Sequence, residues 1–372
     1  MRGQRAFLEE VRSLAGAIEE REMAAPDRYP AESIGDLIEL GLFRAPFPAD
    51  AGGLDLSLLE VLEALMAIAE ASGSVALLAA MPIGLSGMLT GAKSLVPEAE
   101  FIRFDEQFYR IAAEFKAGKI YAACNSERGA GGLLSATKTR AEQGGDGVYR
   151  LTGEKTLASF GTYADVFFAT ARFDKGGDEE KEGEGLEFFL VESNVPGVDI
   201  RSDWDGFGMR ATESHSVGFE EAAARERLGW IGFIEDVQPS SWWWPLFAAV
   251  PLGCVAALLK ALSKPAPSSA ALRMRLAEAT MRWEAARSYL RETAAMWKPG
   301  ADAEYHLRVL RTKTFVTQEA TRLAADLFAL SGGRHFTRSS RVSRVFADAF
   351  AGTVLRPPLA LGLAMLVEPA EE

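Results

Sequence analysis

The chain has 372 residues, 48% hydrophobic and 25% charged, an ordinary globular balance with material for two or three domains and a sizeable core. Its 52 acidic against 40 basic residues give a net charge of −12, which argues against the basic footprint of a nucleic-acid binder and against adhesion to anionic membranes. Two cysteines (Cys124, Cys254) and three histidines (His215, His306, His335) form neither a disulfide framework nor a metal-ligand spacing, so no metal site and a reducing, cytoplasmic setting are expected.

In chain order, Phe7, Leu8, Val11, Leu14, Ala15 and Ile18 fall on one helical face. Glu9, Glu10, Glu19 and Glu20 interrupt any signal-peptide core there. A second helix is expected around Ile34, Leu37, Ile38 and Leu42, and the proline- and glycine-rich "RAPFPADAGGLDLS" reads as a loop. Helices are expected from Leu58 and again between Ser74 and Lys116, with Gly118 as the break. No uninterrupted apolar run is expected to reach the roughly 18 residues of a membrane span.

The period changes at Ile120. "KIYAACNS", "GVYRLTGEKTLAS", "ADVFFATARF", "LEFFLVES" and "SHSVGFEE" are short β-prone runs separated by turns, a pattern that suits a small barrel or a sandwich. Gly129, Gly131 and Gly132 after the first run admit close backbone approach or left-handed dihedrals. "DKGGDEEKEGEG" reads as a solvated loop. The helical period returns near Pro245 and holds to about Leu330, with "KPAPSSAA" as a connection; "LSGGRHFTRSS" then precedes a last helical stretch from Arg341. The expected domains are therefore 1–118 (helical), 119–228 (β) and 229–372 (helical), and a pocket is favoured where they meet.

That order, with five motifs, resembles the acyl-CoA dehydrogenase superfamily. The motifs are Glu39–Ser57 ("ELGLFRAPFPADAGGLDLS"), "YAACNSERGAGG", Leu151–Arg172 ("LTGEKTLASFGTYADVFFATAR"), Gly206–Ala222 ("GFGMRATESHSVGFEEA") and Leu327–Ala349 ("LFALSGGRHFTRSSRVSRVFADA"). The resemblance implies an α+β multidomain fold: an N-terminal α-helical domain, a central small β-barrel domain and a C-terminal four-helix-bundle domain. It implies a flavin, FAD or alternatively FMN, and a homodimer or homotetramer. It puts Ser126 and Ser159 at the two hydroxyl positions that meet the flavin ring, with Asn125, Gly131 and Gly132 beside the first and Leu157 in place of the usual tryptophan. It places Gly332, Gly333 and Arg334 toward a phosphate from a neighbouring subunit, and Thr353 against the cofactor.

The departures bear on the chemistry. A dehydrogenase of this family needs an ionised carboxylate within reach of the substrate's α-proton. Where the family's glutamate follows the last helix, this chain reads Phe-Ala-Gly-Thr, so Ala351 stands in its place. The alternative site, on the first helix after the β domain, is filled by Trp242, Trp243 and Trp244. No catalytic base is identified. Trp243, Trp244 and Ala351 are expected to line a substrate pocket, and Glu127 to brace its loop. The favoured reading is a flavin monooxygenase-like oxidoreductase acting on a small apolar substrate, with a separate flavin reductase as partner. The alternatives are a non-catalytic scaffold and an acyl-CoA dehydrogenase with a relocated base.

Overall fold

The computed structural model describes residues 4–174, 184–264 and 266–367. Most of the acidic segment read as a solvated loop lies outside them. The N-terminal domain comprises α1 (Gln4–Ala24), α2 (Ala31–Leu40), α3 (Leu58–Ala71), α4 (Gly73–Ala92) and α5 (Phe101–Lys116). Ser57 starts α3 with a capping box: its backbone N–H donates to Glu60 at 2.8 Å while its hydroxyl accepts from the Glu60 N–H. The loop before α3 contains two short 3₁₀ turns, Leu42–Arg44 and Ala49–Ala51. Phe47, fully buried between them, sets its ring edge-on to Phe108 and Phe115.

The β domain contains β1 (Tyr121–Cys124), β2 (Arg140–Gln143), β3 (Tyr149–Ala158), β4 (Val166–Asp174), β5 (Glu184–Glu192), β6 (Val198–Ile200), β7 (His215–Ala223) and β8 (Glu226–Arg227). They form one sheet in the order β6-β7-β3-β2-β4-β5-β8, and β1 adds parallel to β4. The strands β2, β6 and β8 were not expected, because two to four residues are too few to show an alternating pattern.

Helices resume with α6 (Phe233–Val237), then α7 (Ser240–Ser263), α8 (Ala270–Ala295), α9 (Ala303–Leu330), α10 (Arg341–Phe350) and α11 (Leu359–Met365). The helix α7 packs against α8, α9 and α10, and also against α3 and α4 of the N-terminal domain. One expectation is corrected here. Both α4 and α7 are long and apolar enough to cross a membrane. They are apolar on every side because each is surrounded by other helices: all but one of the α4 residues are buried inside the fold.

Candidate active site

The three domains meet around a cavity of about 810 Å³. Its walls come from α4, the loop after β1, the end of β3, the start of α7 and the turn that follows α10. The loop after β1 is tied down from below. Glu127 is 2.7 Å from the Lys155 ammonium, and both side chains are almost fully buried. The same carboxylate accepts from the backbone N–H groups of Lys138 and Thr139 and from the Thr139 hydroxyl. Burial works against its charge, but these donors outweigh burial and hold its pKa below the usual carboxylate range. Asn125 turns its side-chain oxygen away to accept from the Thr170 N–H at 2.9 Å. Ser126 lines the cavity and pairs through its backbone with Thr156.

The end of β3 departs from regular pleating. A register shift against β7 falls between Lys155 and Ala158, and Leu157 has φ +58°. Such a value is rare for a residue with a side chain and gathers at binding sites. The distortion brings Thr156, Leu157 and Ser159 to the same cavity, which a straight strand would not. Ser159 is buried, and its hydroxyl is 2.9 Å from that of Ser214, which in turn is 2.7 Å from Thr212.

After α10 the chain makes a turn through Ala351, Thr353 and Arg356, all in the cavity wall. Arg356 donates through Nη2 to the Asn125 carbonyl (3.1 Å) and the Ser126 hydroxyl (3.0 Å). The turn is held from behind by Lys313 of α9, whose ammonium donates to the carbonyls of Gly352, Leu355 and Pro357. Thr353 donates to the Phe350 carbonyl, a helix-end bond. Gly132 explains one of the clustered glycines. A Cβ there would sit 2.5 Å from Pro358, so the β1 loop and this turn fit together only with a bare backbone at residue 132.

Trp243 and Trp244 line the cavity, and Trp242 does not. Trp243 lies flat enough on α4 that a Cβ at Gly84 would be 2.4 Å from its ring, and it tilts against Phe168 with ring centroids 5.8 Å apart. Trp242 points away, edge-on to Trp297, and donates to the Ile83 carbonyl. Among the described residues, two carboxylates border the cavity, Glu127 and Glu235. The first is engaged by Lys155, and the second is exposed at the rim on α6.

Gly332, Gly333 and Arg334 are not part of this wall; they sit in the α9–α10 connection, where Arg334 is exposed and donates to His335. His215 is buried. Its Nδ1 accepts from the Trp204 N–H, so its proton is on Nε2 and bonds Glu213. Sequence reasoning missed Arg356, Lys155, Lys313, Thr212 and Ser214. A lone lysine in a strand, Lys155, and another in a helix, Lys313, carry no spacing signal, and Arg356 was hidden in a proline-rich tail.

A second cavity of about 570 Å³ opens on the far side of α10. Asp348 lies there, and it accepts from the Met209 N–H at 2.6 Å. Burial, then the neighbouring Glu22 carboxylate, push its pKa up to about 7.

The larger cavity suits a flavin. Its volume lies within the roughly 300–1,000 Å³ of small-molecule sites, its walls are largely aromatic and aliphatic, and the hydroxyls of Ser126 and Ser159 and the Arg356 guanidinium stand among them. The whole chain shares its architecture with known proteins. Residues 2–91, 122–222 and 259–355 match the N-terminal, middle and C-terminal domains of acyl-CoA dehydrogenases. The chain is 29% identical to L-evernosamine nitrososynthase of Micromonospora sp. (strain ATCC 39149 / NRRL 15099 / SCC 1413) over 92% of its own length and 85% of that protein. It is 27% identical to benzylmalonyl-CoA dehydrogenase of Aromatoleum aromaticum (strain DSM 19018 / LMG 30748 / EbN1) over 86% and 84%. Among solved structures, FMN-bound TdsC from Paenibacillus sp. A11-2 superposes with a TM-score of 0.79 at 22% identity, covering 98% of this chain and 96% of that one.

Proposed function

We propose, from the premise that this chain belongs to the acyl-CoA dehydrogenase superfamily and is a flavin-dependent oxidoreductase, that it does not dehydrogenate acyl-CoA but uses reduced flavin and oxygen on a small, largely apolar substrate. One observation carries the reading. Ala351 stands in the cavity wall where the resemblance calls for a glutamate, and of the two carboxylates that border the cavity among the described residues one is bound to Lys155 and the other is exposed at the rim. A methyl group accepts no proton, and a carboxylate already holding an ammonium and three further donors is a poor base.

Ser126, Gly131 and Gly132 on one edge and Leu157 and Ser159 on the other would hold the ring, with Thr353 beside it. Bound there, the flavin supplies two-electron chemistry and, when reduced, reacts with oxygen. The protein's own part is to fix orientation and keep water out. Trp243, Phe168 and Leu77 give an apolar wall for a flat substrate. Glu127 and Lys155 hold the β1 loop rigid at the cavity wall. Outside the cavity, Gly332, Gly333 and Arg334 are offered as contacts for a cofactor phosphate of a neighbouring copy, as the exposure of Arg334 permits.

The test is spectroscopic. The purified protein, loaded with FMN or FAD, is titrated anaerobically with octanoyl-CoA and, separately, supplied with reduced flavin and oxygen alongside aromatic candidate substrates. Unbleached flavin in the first arm and an oxygenated product in the second are expected. Turnover of octanoyl-CoA by the unmodified protein would sink the reading.

A further inference from the structure

The second cavity, on the far side of α10, holds two carboxylates that the fold leaves without a counter-charge. Asp348 stands in its wall and is only 6% exposed. Its Oδ1 accepts from the Met209 N–H, and its Oδ2 has no hydrogen-bond partner among the described residues. Glu22 of α1 lines the same space and accepts from the Ser72 hydroxyl at 3.0 Å. Neither carboxylate has an ion-pair partner among the described residues. Carboxylates this far from water are ordinarily paired. The arginines that could answer them are engaged elsewhere. Arg210 pairs with Asp27, Arg341 pairs with Glu19, and Arg344 donates to the Ser339 carbonyl at 2.7 Å.

The rest of the wall is largely phenyl. Phe328 and Phe346 stack with centroids 4.6 Å apart, and Phe207 and Phe336 are 71% and 82% exposed, so most of each of the last two rings is left uncovered. Phenyl faces carry negative charge density and attract cations. The cavity thus has unanswered carboxylates at its buried end and uncovered rings at its exposed end. Its volume of about 570 Å³ is that of a small-molecule site. Among the described residues, only Phe207 and Ala347 border both this cavity and the larger one.

We propose that this cavity is a second ligand site, separate from the one read above as the flavin site, and that it takes an organic ammonium: a primary amine on an apolar body. The ammonium has three donors, and the free oxygens of Asp348 and Glu22 are acceptors for two of them. The apolar body lies among the phenyl rings. A carboxylate ligand would meet two like charges, and a neutral ligand would leave both unanswered. The charged groups around Asp348 are Glu22 of α1, Arg210 of the loop before β7, and Arg341 and Arg344 of its own helix; the Cys254 thiol of α7 is kept protonated by burial. An ammonium favours the ionised form of Asp348, whose pKa burial and Glu22 hold up to about 7, so affinity should be about tenfold higher at pH 8 than at pH 6.

The experiment is calorimetric titration of the full chain with phenethylamine, which is charged throughout that range, and with two neutral or anionic analogues, 2-phenylethanol and 3-phenylpropionate. Phenethylamine should bind at one site per chain with a Kd at or below about 1 mM at pH 8, and both analogues at least tenfold more weakly. Asp348→Asn, which still accepts from the Met209 N–H, and Glu22→Gln should each weaken the amine about tenfold or more, and Asp348→Asn should also remove the pH dependence. Phe336→Leu keeps an apolar contact without the ring and should weaken the amine about two- to fivefold while leaving the alcohol unchanged. Equal binding of amine and alcohol, full affinity in both carboxylate variants, or no amine binding by the folded protein would overturn the proposal. So would loss of binding in Glu235→Gln with Asp348→Asn unaffected, which would put the amine in the larger cavity. The comparison of the three ligands on the wild-type chain decides the matter even where a variant does not fold.

Discussion

Adding one methyl group at Gly84 should damage ligand binding, and the same change one turn later should not. An alanine Cβ at residue 84 would lie 2.4 Å from three carbons of the Trp243 ring. Carbon pairs rest at about 3.5–4.0 Å, so the rigid indole must retreat by roughly 1 Å or more. Phe168 and Phe247 block it laterally, with ring centroids 5.8 Å away, and the open direction is the cavity. Overpacking of this kind costs about 1–3 kcal/mol of stability, and a reactive site misplaced by about 1 Å loses on the order of 100-fold in rate. At Gly87 the clash is tighter, 1.9 Å to Trp242, yet that ring faces Trp297 rather than the cavity. Gly87→Ala should lose at least as much stability while keeping flavin affinity within about twofold, as expected for a site outside the binding wall. Urea unfolding and flavin titration of both variants, at a temperature where both are folded, check the pair. Normal binding by Gly84→Ala, or equal loss in the two, would refute the assignment of Trp243 as cavity wall.

Glu127→Gln leaves the buried Lys155 ammonium without its carboxylate and should cost about 3–5 kcal/mol in chemical denaturation; a cost near zero would show that the pair braces nothing. Asp348 keeps its proton in the fold to about pH 7, whereas an unfolded aspartate loses it near pH 4. The fold therefore binds the extra proton between those values, and stability should fall by up to ~4 kcal/mol as pH rises across that window, then level off. Asp348→Asn, which can still accept from the Met209 N–H, should flatten the dependence and be the more stable form at pH 8; denaturation from pH 4 to 8 measures both. Replacing Ser126 and Ser159 together by valine should weaken flavin binding at least tenfold, since each substitution removes a polar contact and adds bulk. Unchanged affinity would move the ring elsewhere.

The order of helices, strands and helices was readable because a long periodic segment such as Phe7–Ile18 and a long apolar one such as the α7 region announce themselves. The short strands did not, since Glu226–Arg227 has no period to detect. At the cavity, residues set in recognisable motifs were found: Ser126, Ser159, Trp243 and Ala351 all border the same space. What sequence could not show was long-range pairing. Lys155 meets Glu127 across 28 positions and Arg356 meets Ser126 across 230, and neither separation leaves a trace in local composition. The buried setting of His215 was lost for the same reason, because its partner Trp204 lies on a loop whose path only the folded sheet defines. The glycine cluster was noticed, but the reason for Gly132 was Pro358, far along the chain.

The interlock between Gly132 and Pro358 has a practical consequence for anyone transplanting parts among relatives. The strand-end loop and the tail that follows α10 behave as plug and socket, machined to one another across more than half the chain. A chimaera that imports either piece alone would arrive with a mismatched joint at the place where cofactor and substrate are to be gripped. Exchanges of specificity should therefore travel as matched segments, loop and tail together.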